Sequence, residues 1–313
     1  MSDLRLVFMG TPDFATEPLA RLSRSHHVEL VVTQPDRPRG RHLRLSPTPV
    51  KIRAAELGLR VRQPAKPADI REELAGISPD AVVVVAYGKI LPKWLLDLPR
   101  YGCVNLHPSL LPKYRGAAPI QRAILAGEKE MGVTTILLGE GIDDGPILLQ
   151  KQIPIQPGDN LGTLIPKLAQ EGADLLLQTL DLLDKGQITP RPQDHGKATY
   201  ADKLGKEEQA VDWTERAEAV INRIKAFAPS PGAHSRLKGL RLKILGAEIF
   251  LEEREPKGQP GEILETRQGG FVVATGTSSL LITEVQPEGK RRMDAGAFLR
   301  GHHIEPGEKL LAK

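Results

Sequence analysis

Apolar and amphipathic stretches alternate along the first half of the chain. Residues 4–10, 28–34, 80–88, 103–107 and 133–138 are short apolar-rich runs bounded by Gly, Pro or polar residues, and each predicts a β-strand. Between them, residues 14–23, 50–57, 70–75, 119–126 and 161–183 carry apolar positions at helical spacing. Asn160 stands just before the last of these, where it would cap the helix. Strand and helix in alternation predict an α/β domain with a Rossmann-like, mostly parallel sheet and right-handed crossovers. The pattern dissolves over 186–206, a stretch rich in Pro, Gly and charge. Helical spacing resumes over 210–227. Close strand candidates with Gly-rich turns follow at 240–245, 261–265, 271–274 and 279–285, as expected of a small OB-like β-barrel. The organisation read from this pattern is a first domain over 1–188, a linker over 189–208 and a second domain over 209–313.

At 313 residues the chain can fill two cores. Its 40% hydrophobic and 26% charged content is ordinary for a soluble protein. Aromatics at 4% are too few for a surface that stacks many bases. No apolar run reaches the roughly 18 residues that span a bilayer, and the N-terminus enters a strand pattern without a basic region or cleavage site. With Cys103 the only cysteine, no internal disulfide and no Cys metal cluster is possible. A cytoplasmic protein is expected.

Net charge is a mild +4, but its distribution is one-sided. Residues 34–53 hold Arg37, Arg39, Arg41, Arg44, Lys51 and Arg53 against Asp36 alone. Residues 219–247 hold Arg223, Lys225, Arg236, Lys238, Arg241 and Lys243 with no acid, and Lys290-Arg291-Arg292 follows. Such segments fit a polyanionic partner, because Lys and Arg neutralise phosphates and release counterions.

Familiar nucleotide and hydrolase signatures are missing. Gly10-Thr11-Pro12-Asp13 lacks the further glycines of a dinucleotide turn, and there is no phosphate loop, nucleophile elbow or zinc helix. His302-His303 reads as an exposed pair rather than a metal site. The informative stretch is Asn105-Leu106-His107-Pro108-Ser109-Leu110-Leu111-Pro112, followed by Gly141-Ile142-Asp143-Asp144-Gly145. On a strand, Cys103, Asn105 and His107 share one face, and ligands of open α/β sheets bind beyond the strand C-termini. An amide, an imidazole and a loop carboxylate gathered there could hold an oxyanion and manage a proton. Cys103, deeper in the strand, reads as a small buried hydrophobe.

These residues resemble the folate-dependent formyltransferase family, in its tRNA-directed branch. The shared pattern is Asn-x-His-Pro-Ser-Leu-Leu-Pro, here Asn105 to Pro112, continued by Lys113-Tyr114-Arg115-Gly116-Ala117-Ala118-Pro119-Ile120, with Asp143 as the acidic partner. The likeness extends to Phe8-Met9-Gly10-Thr11-Pro12-Asp13-Phe14, to Thr33-Gln34-Pro35-Asp36-Arg37-Pro38-Arg39-Gly40-Arg41, to Tyr200-Ala201-Asp202-Lys203-Leu204 and to Gln286-Pro287-Glu288-Gly289-Lys290-Arg291-Arg292-Met293, nearly the whole chain. One departure is Ala228-Pro229-Ser230-Pro231-Gly232-Ala233, where the family reads Asn-Pro-Trp-Pro-Gly-Ala.

The resemblance implies transfer of a formyl group from 10-formyltetrahydrofolate to the amino group of methionyl-initiator tRNA, without metal or covalent enzyme intermediate. It implies Asn105 as oxyanion donor, His107 as electrostatic stabiliser and proton donor, and Asp143 as orienter and proton acceptor. A free α-amino group has a pKa of about 7.7–8, so no strong base is required. Tyr87, Gly88, Ile90, Ser109, Leu110, Leu111 and Pro112 are the expected folate walls. Arg37, Arg39, Arg41, Arg44, Arg223, Lys225, Lys238 and Lys243 are the expected tRNA contacts in the basic insertion and the second domain. The alternative is a folate-dependent transferase acting on a small amine such as a ribotide or sugar nucleotide. No long apolar seam calls for a protein partner, so a monomer is expected.

Overall fold

The computed structural model describes residues 3–39, 44–250 and 258–311. In chain order the first elements are β1 (Arg5–Gly10), α1 (Thr16–Ser25), β2 (His27–Val32), β3 (Arg37–Arg39), β4 (Arg44–Ser46), α2 (Pro49–Glu56) and β5 (Val61–Arg62). Next come α3 (Arg71–Ile77), β6 (Ala81–Val85), α4 (Lys93–Leu96), β7 (Cys103–His107), α5 (Pro119–Leu125), β8 (Glu130–Leu137), β9 (Ile147–Pro154) and α6 (Leu161–Asp184). Seven strands form one sheet in the order β5-β2-β1-β6-β7-β8-β9, while β3 and β4 pair as a separate ribbon. β6, Ala followed by four Val, is buried along its whole length, as a central strand covered on both faces must be. Thr48 caps α2 by accepting from Lys51 N at 3.1 Å, with Pro49 in the first helical position. Asn160 caps α6 by accepting from Thr163 N at 3.2 Å.

The sheet departs from the expected run of crossovers at one edge. β5, β2, β1, β6 and β7 are parallel, but β8 runs antiparallel to β7 and β9 antiparallel to β8. The connection over 138–146 is shorter than the dozen or so residues that a parallel crossover needs, so it closes a hairpin instead. β9 escapes a hydrophobic reading because the polar run Gln150-Lys151-Gln152, all three exposed, fills its middle. The reversal matters for the site. Leu137, at the end of β8, lies opposite Val104, near the start of β7. Leu138 N donates to Cys103 O at 2.8 Å. The loop carrying Asp143 therefore leaves from the opposite end of the sheet and must fold back over its face.

Later elements are α7 (Ala217–Phe227), β10 (Ala233–Leu237), β11 (Leu240–Phe250), β12 (Ile263–Arg267), β13 (Gly270–Ala274), β14 (Ser279–Pro287), β15 (Met293–Asp294), α8 (Ala295–Gly301) and β16 (Leu310–Leu311). They build a second, antiparallel sheet in the order β12-β13-β14-β11-β10-β16, with β15 against β14. The sheet curls until its edges meet. A bridge joins Glu262 to Lys309, and Leu310 N donates to Gly261 O at 2.8 Å. A side chain on Gly261 would meet Leu310 O at 2.5 Å, which explains the glycine at this closure. The helix expected from residue 210 begins at Ala217. Before it, Asp212 takes the Thr214 backbone and hydroxyl at 3.0 and 2.6 Å, and Val211 N donates to His234 O. Those bonds lay Ala210 and Val211 along β10 and close a turn over 212–215 ahead of the helix.

The chain divides into two compact units. One comprises Met1–Pro119, Glu130–Pro154 and Ile165–Asp202; the other comprises Ile120–Lys129, Ile155–Leu164 and Lys203–Lys313. Residues 191–201, read as linker from sequence, are hydrogen-bonded into the first unit. Arg191 bridges Ile147, and Thr199 and Ala201 bond with Arg115. Backbone bonds leave no side-chain period to read. Among the described residues no helix is long and apolar enough to cross a membrane.

Candidate active site

β7 carries Asn105 and His107 on one face, both buried, at 7% and 4% exposure. Loop 138–146 brings Asp143 onto them. Its Oδ1 accepts from Asn105 Nδ2 at 3.4 Å, and its Oδ2 lies 3.5 Å from His107 Nδ1. Gly116 N donates to the same Oδ2 at 2.9 Å. One carboxylate thus touches an amide, an imidazole and a backbone N–H. The far ring nitrogen, His107 Nε2, is 2.8 Å from Tyr114 O. A carbonyl only accepts, so Nε2 carries a hydrogen and Nδ1 is the atom left facing Asp143. Asp143 and Tyr114 both hold positive φ, 48° and 62°. Left-handed non-glycine residues cost about 1–3 kcal/mol each and persist where surrounding structure fixes them.

What fixes them was not visible beforehand. Gln193 Nε2 donates to Asp143 O at 2.8 Å and to Gly145 O at 2.7 Å. Arg115, 3% exposed, donates to Gln193 Oε1 from Nε at 3.1 Å and Nη2 at 2.7 Å. Tyr114 N donates to Thr199 Oγ1 at 2.9 Å. Buried Thr134 supports the turn after β7, donating to Ser109 O at 2.6 Å and accepting from Leu111 N at 3.3 Å. Arg115 and Gly116 lay inside the recognised motif; Gln193 and Thr199 lay in the unpatterned stretch, and nothing local marked them.

The expected folate residues divide. Ser109 turns its hydroxyl to Lys113 O at 2.6 Å, and Leu111 packs in a buried cluster with Ile136 and Ile147. Leu110 covers Gly132, where an added Cβ would come within 2.5 Å of it. Tyr87 points into the core under β1, β2 and β6, its hydroxyl unpartnered among the described residues and its pKa pushed up to about 12 by burial. Gly88 and Ile90 are exposed, Ile90 by 82%. Their loop follows β6, whose Val84 lies beside Asn105. Gly88, at φ 79°, is held close by Gln34, which donates to Tyr87 O at 2.8 Å. Ile90 thus offers an exposed apolar side chain in the loop that follows the strand beside Asn105.

The basic residues are scattered in circumstance. Arg37 is exposed on the β3–β4 ribbon and donates to Gln34 Oε1 at 2.8 Å. Arg39 lies opposite Arg44 across that ribbon, and Arg41 lies outside the described residues. Arg223 Nη2 donates to both carboxylate oxygens of Glu215, at 2.8 and 3.0 Å. Lys225 ties to Pro157 O at 2.5 Å and Lys238 to Glu308 at 2.6 Å. Lys243 belongs to a different group. The β10–β11 register sets His234 opposite Lys243 and Arg236 opposite Arg241, so alternation puts all four on one face. Among the described residues no carboxylate pairs with these cations.

Comparison with known proteins places this geometry. Residues 4–180 match the formyl transferase family model, and residues 203–303 match the model of the formyl transferase C-terminal domain. Methionyl-tRNA formyltransferase of Moorella thermoacetica is 47% identical over 310 residues, 98% of this chain and 99% of that protein. Its counterpart in Citrifermentans bemidjiense is 45% identical over 314 residues, 99% of this chain and 97% of that protein. Among solved structures, HypX of Aquifex aeolicus in complex with tetrahydrofolic acid shares the fold with a TM-score of 0.66 at 20% identity. The match covers 95% of this chain and 47% of that one. An N-formyltransferase of Helicobacter canadensis, with folinic acid and dTDP-3-aminofucose, gives 0.65 at 17% identity, covering 89% of this chain and 99% of that one.

Proposed function

The chain belongs to the formyl transferase family, and on that premise we propose that it moves a formyl group from 10-formyltetrahydrofolate to the amino group of methionyl-initiator tRNA. The observation that carries the reading is the Asp143 carboxylate held within 3.5 Å of both Asn105 and His107. The donor, when bound, supplies an activated one-carbon acyl group, and the chain supplies position and charge. Asn105 is the donor for negative charge on the formyl oxygen, and His107, whose ring nitrogens face Tyr114 O and Asp143, stabilises that charge electrostatically from beside it. Asp143, beside His107 Nδ1, accepts the proton that the amine sheds on attack and orients the ring. Tyr114 O holds the far nitrogen and stops the imidazole from turning. Gly88 and Ile90 form one wall of the donor slot, and the turn from Ser109 to Pro112 forms another through its backbone.

For the tRNA we assign phosphate contacts to Arg37, Arg39 and Arg44 on the ribbon, to Arg41 between them in the sequence, and to His234, Arg236, Arg241 and Lys243 on the β10–β11 face. The roles of Arg223, Lys225 and Lys238 in that contact are secondary, since each already holds its own fold together. Phosphate contacts of this kind position the substrate without reading its sequence.

The test is formyl transfer from 10-formyltetrahydrofolate to charged initiator Met-tRNA, beside free methionine and uncharged tRNA. Transfer to the charged tRNA alone is the expected result. Loss of formyl-folate with no formylated tRNA moves the acceptor to a small amine or water and overturns the reading.

A further inference from the structure

We propose that Gln193, braced by Arg115, is a positioning residue that holds Asp143 in working geometry; the inference rests on the reading of Asp143 as the proton-handling carboxylate. The amide of Gln193 uses its full bonding capacity. Nε2 donates to the carbonyls of Asp143 and Gly145 at 2.8 and 2.7 Å, and Oε1 accepts from Arg115 Nε and Nη2 at 3.1 and 2.7 Å. Carbonyls only accept and a guanidinium only donates, so the amide has one orientation. Both side chains are buried, at 6% and 3% exposure. The two carbonyls belong to residues that set the shape of the loop, and one of them, Asp143, sits at φ 48°.

Arg115 is itself an unusual group. Its guanidinium meets Gln193 Oε1 and His195 Nδ1 (3.4 Å), and among the described residues it has no carboxylate partner. A buried cation facing only neutral groups is costly, so its neighbours are held tightly to it. The next residue, Gly116, donates its N–H to Asp143 Oδ2 at 2.9 Å. One short segment therefore grips Asp143 from two sides, its carboxylate through Gly116 and its carbonyl through Gln193. Thr199 O and Ala201 N pin that segment in turn through the Arg115 backbone, at 2.9 and 2.6 Å.

Gln193→Glu separates positioning from bulk stability. It keeps size and gives Arg115 an ionic partner, yet sets carboxylate oxygens against two carbonyls. The expected result is a fall in kcat of about 10–10²-fold, the scale of a misplacement near 1 Å, with KM for Met-tRNA changed by less than about threefold. Gln193→Met, which removes the bonds without adding charge, is expected to show the same split and stands in if the Glu variant fails to fold. In an Asp143→Asn background, Gln193→Glu is expected to cost less than about threefold, because its effect runs through Asp143. Unchanged kcat in either single variant, or the same fold-loss with and without the Asp143 carboxylate, overturns the inference. Wild-type turnover in Asp143→Asn alone overturns instead the reading of Asp143 on which it rests.

Discussion

Cys103 shares the β7 face with Asn105 and His107, yet its thiol is closed off. Sγ donates to Leu95 O at 3.3 Å, the residue is 1% exposed, and burial pushes its pKa up to about 12. Thiolate, the reactive form, is scarce at neutral pH under those conditions. Iodoacetamide is expected to leave the native protein unlabelled and fully active, and to label it once denaturant is added; labelling of folded protein at pH 7 would contradict this placement. Asn105→Ala is expected to lower kcat by about 10²–10³, the usual cost of one oxyanion donor, and steady-state kinetics with Met-tRNA checks it. At this scale the sequence is legible where chemistry needs a rare residue type at fixed spacing, as with Asn105, His107 and Asp143. It is silent where a common residue acts through its place in space. Gln193 and Thr199 reach the site through side-chain bonds to backbone groups distant in sequence, and no spacing marks them.

The loop over 138–146 is the element on which the site depends, and Gly145 is its tightest point. Its φ is not in the left-handed region, so the glycine is required by space alone: a Cβ there would lie 1.8 Å from Leu137 O. Gly145→Ala must push apart the start of β9 and the end of β8, where Leu137 N also donates to Pro146 O. The expected outcome is a lower melting temperature together with a loss of kcat, because Asp143 moves with the loop. A stable variant with normal turnover would show that the loop tolerates displacement. Helices and buried strands were readable because each repeats a period over many residues. β9 and the β7–β8 reversal were not, since a polar-centred edge strand and a short hairpin leave little pattern. The N-terminal half of the helix expected over 210–227 failed for a local reason: Asp212 bonds the backbone of Thr214 and ends any helical register there.

Over the whole molecule, charge placement separates stability from binding. Arg236 faces Arg241 across β10 and β11, and His234 faces Lys243; like charges directly opposite on a sheet destabilise it. Salt is therefore expected to act with opposite signs. Screening relieves the repulsion and raises the melting temperature, while the same ions compete for tRNA and weaken its binding. Arg241→Ala is expected to raise thermal stability at low salt and to reduce the salt slope of tRNA affinity by about one. His234 adds a pH dependence. Burial first, then Arg241, Arg236 and Lys243, hold its pKa below the ordinary value, and among the described residues Nδ1 has no partner. The folded form thus binds fewer protons than the unfolded chain in the window just below a pH of about 6.5. Stability is full above that pH and falls as pH drops through the window. A bound phosphate favours the charged ring, so tRNA affinity is expected to rise over the same interval, with uptake of a proton. His234→Asn should flatten both trends. Affinity measured from pH 5.5 to 7.5 at fixed ionic strength decides the matter: parallel curves for wild type and variant would remove His234 from the tRNA face.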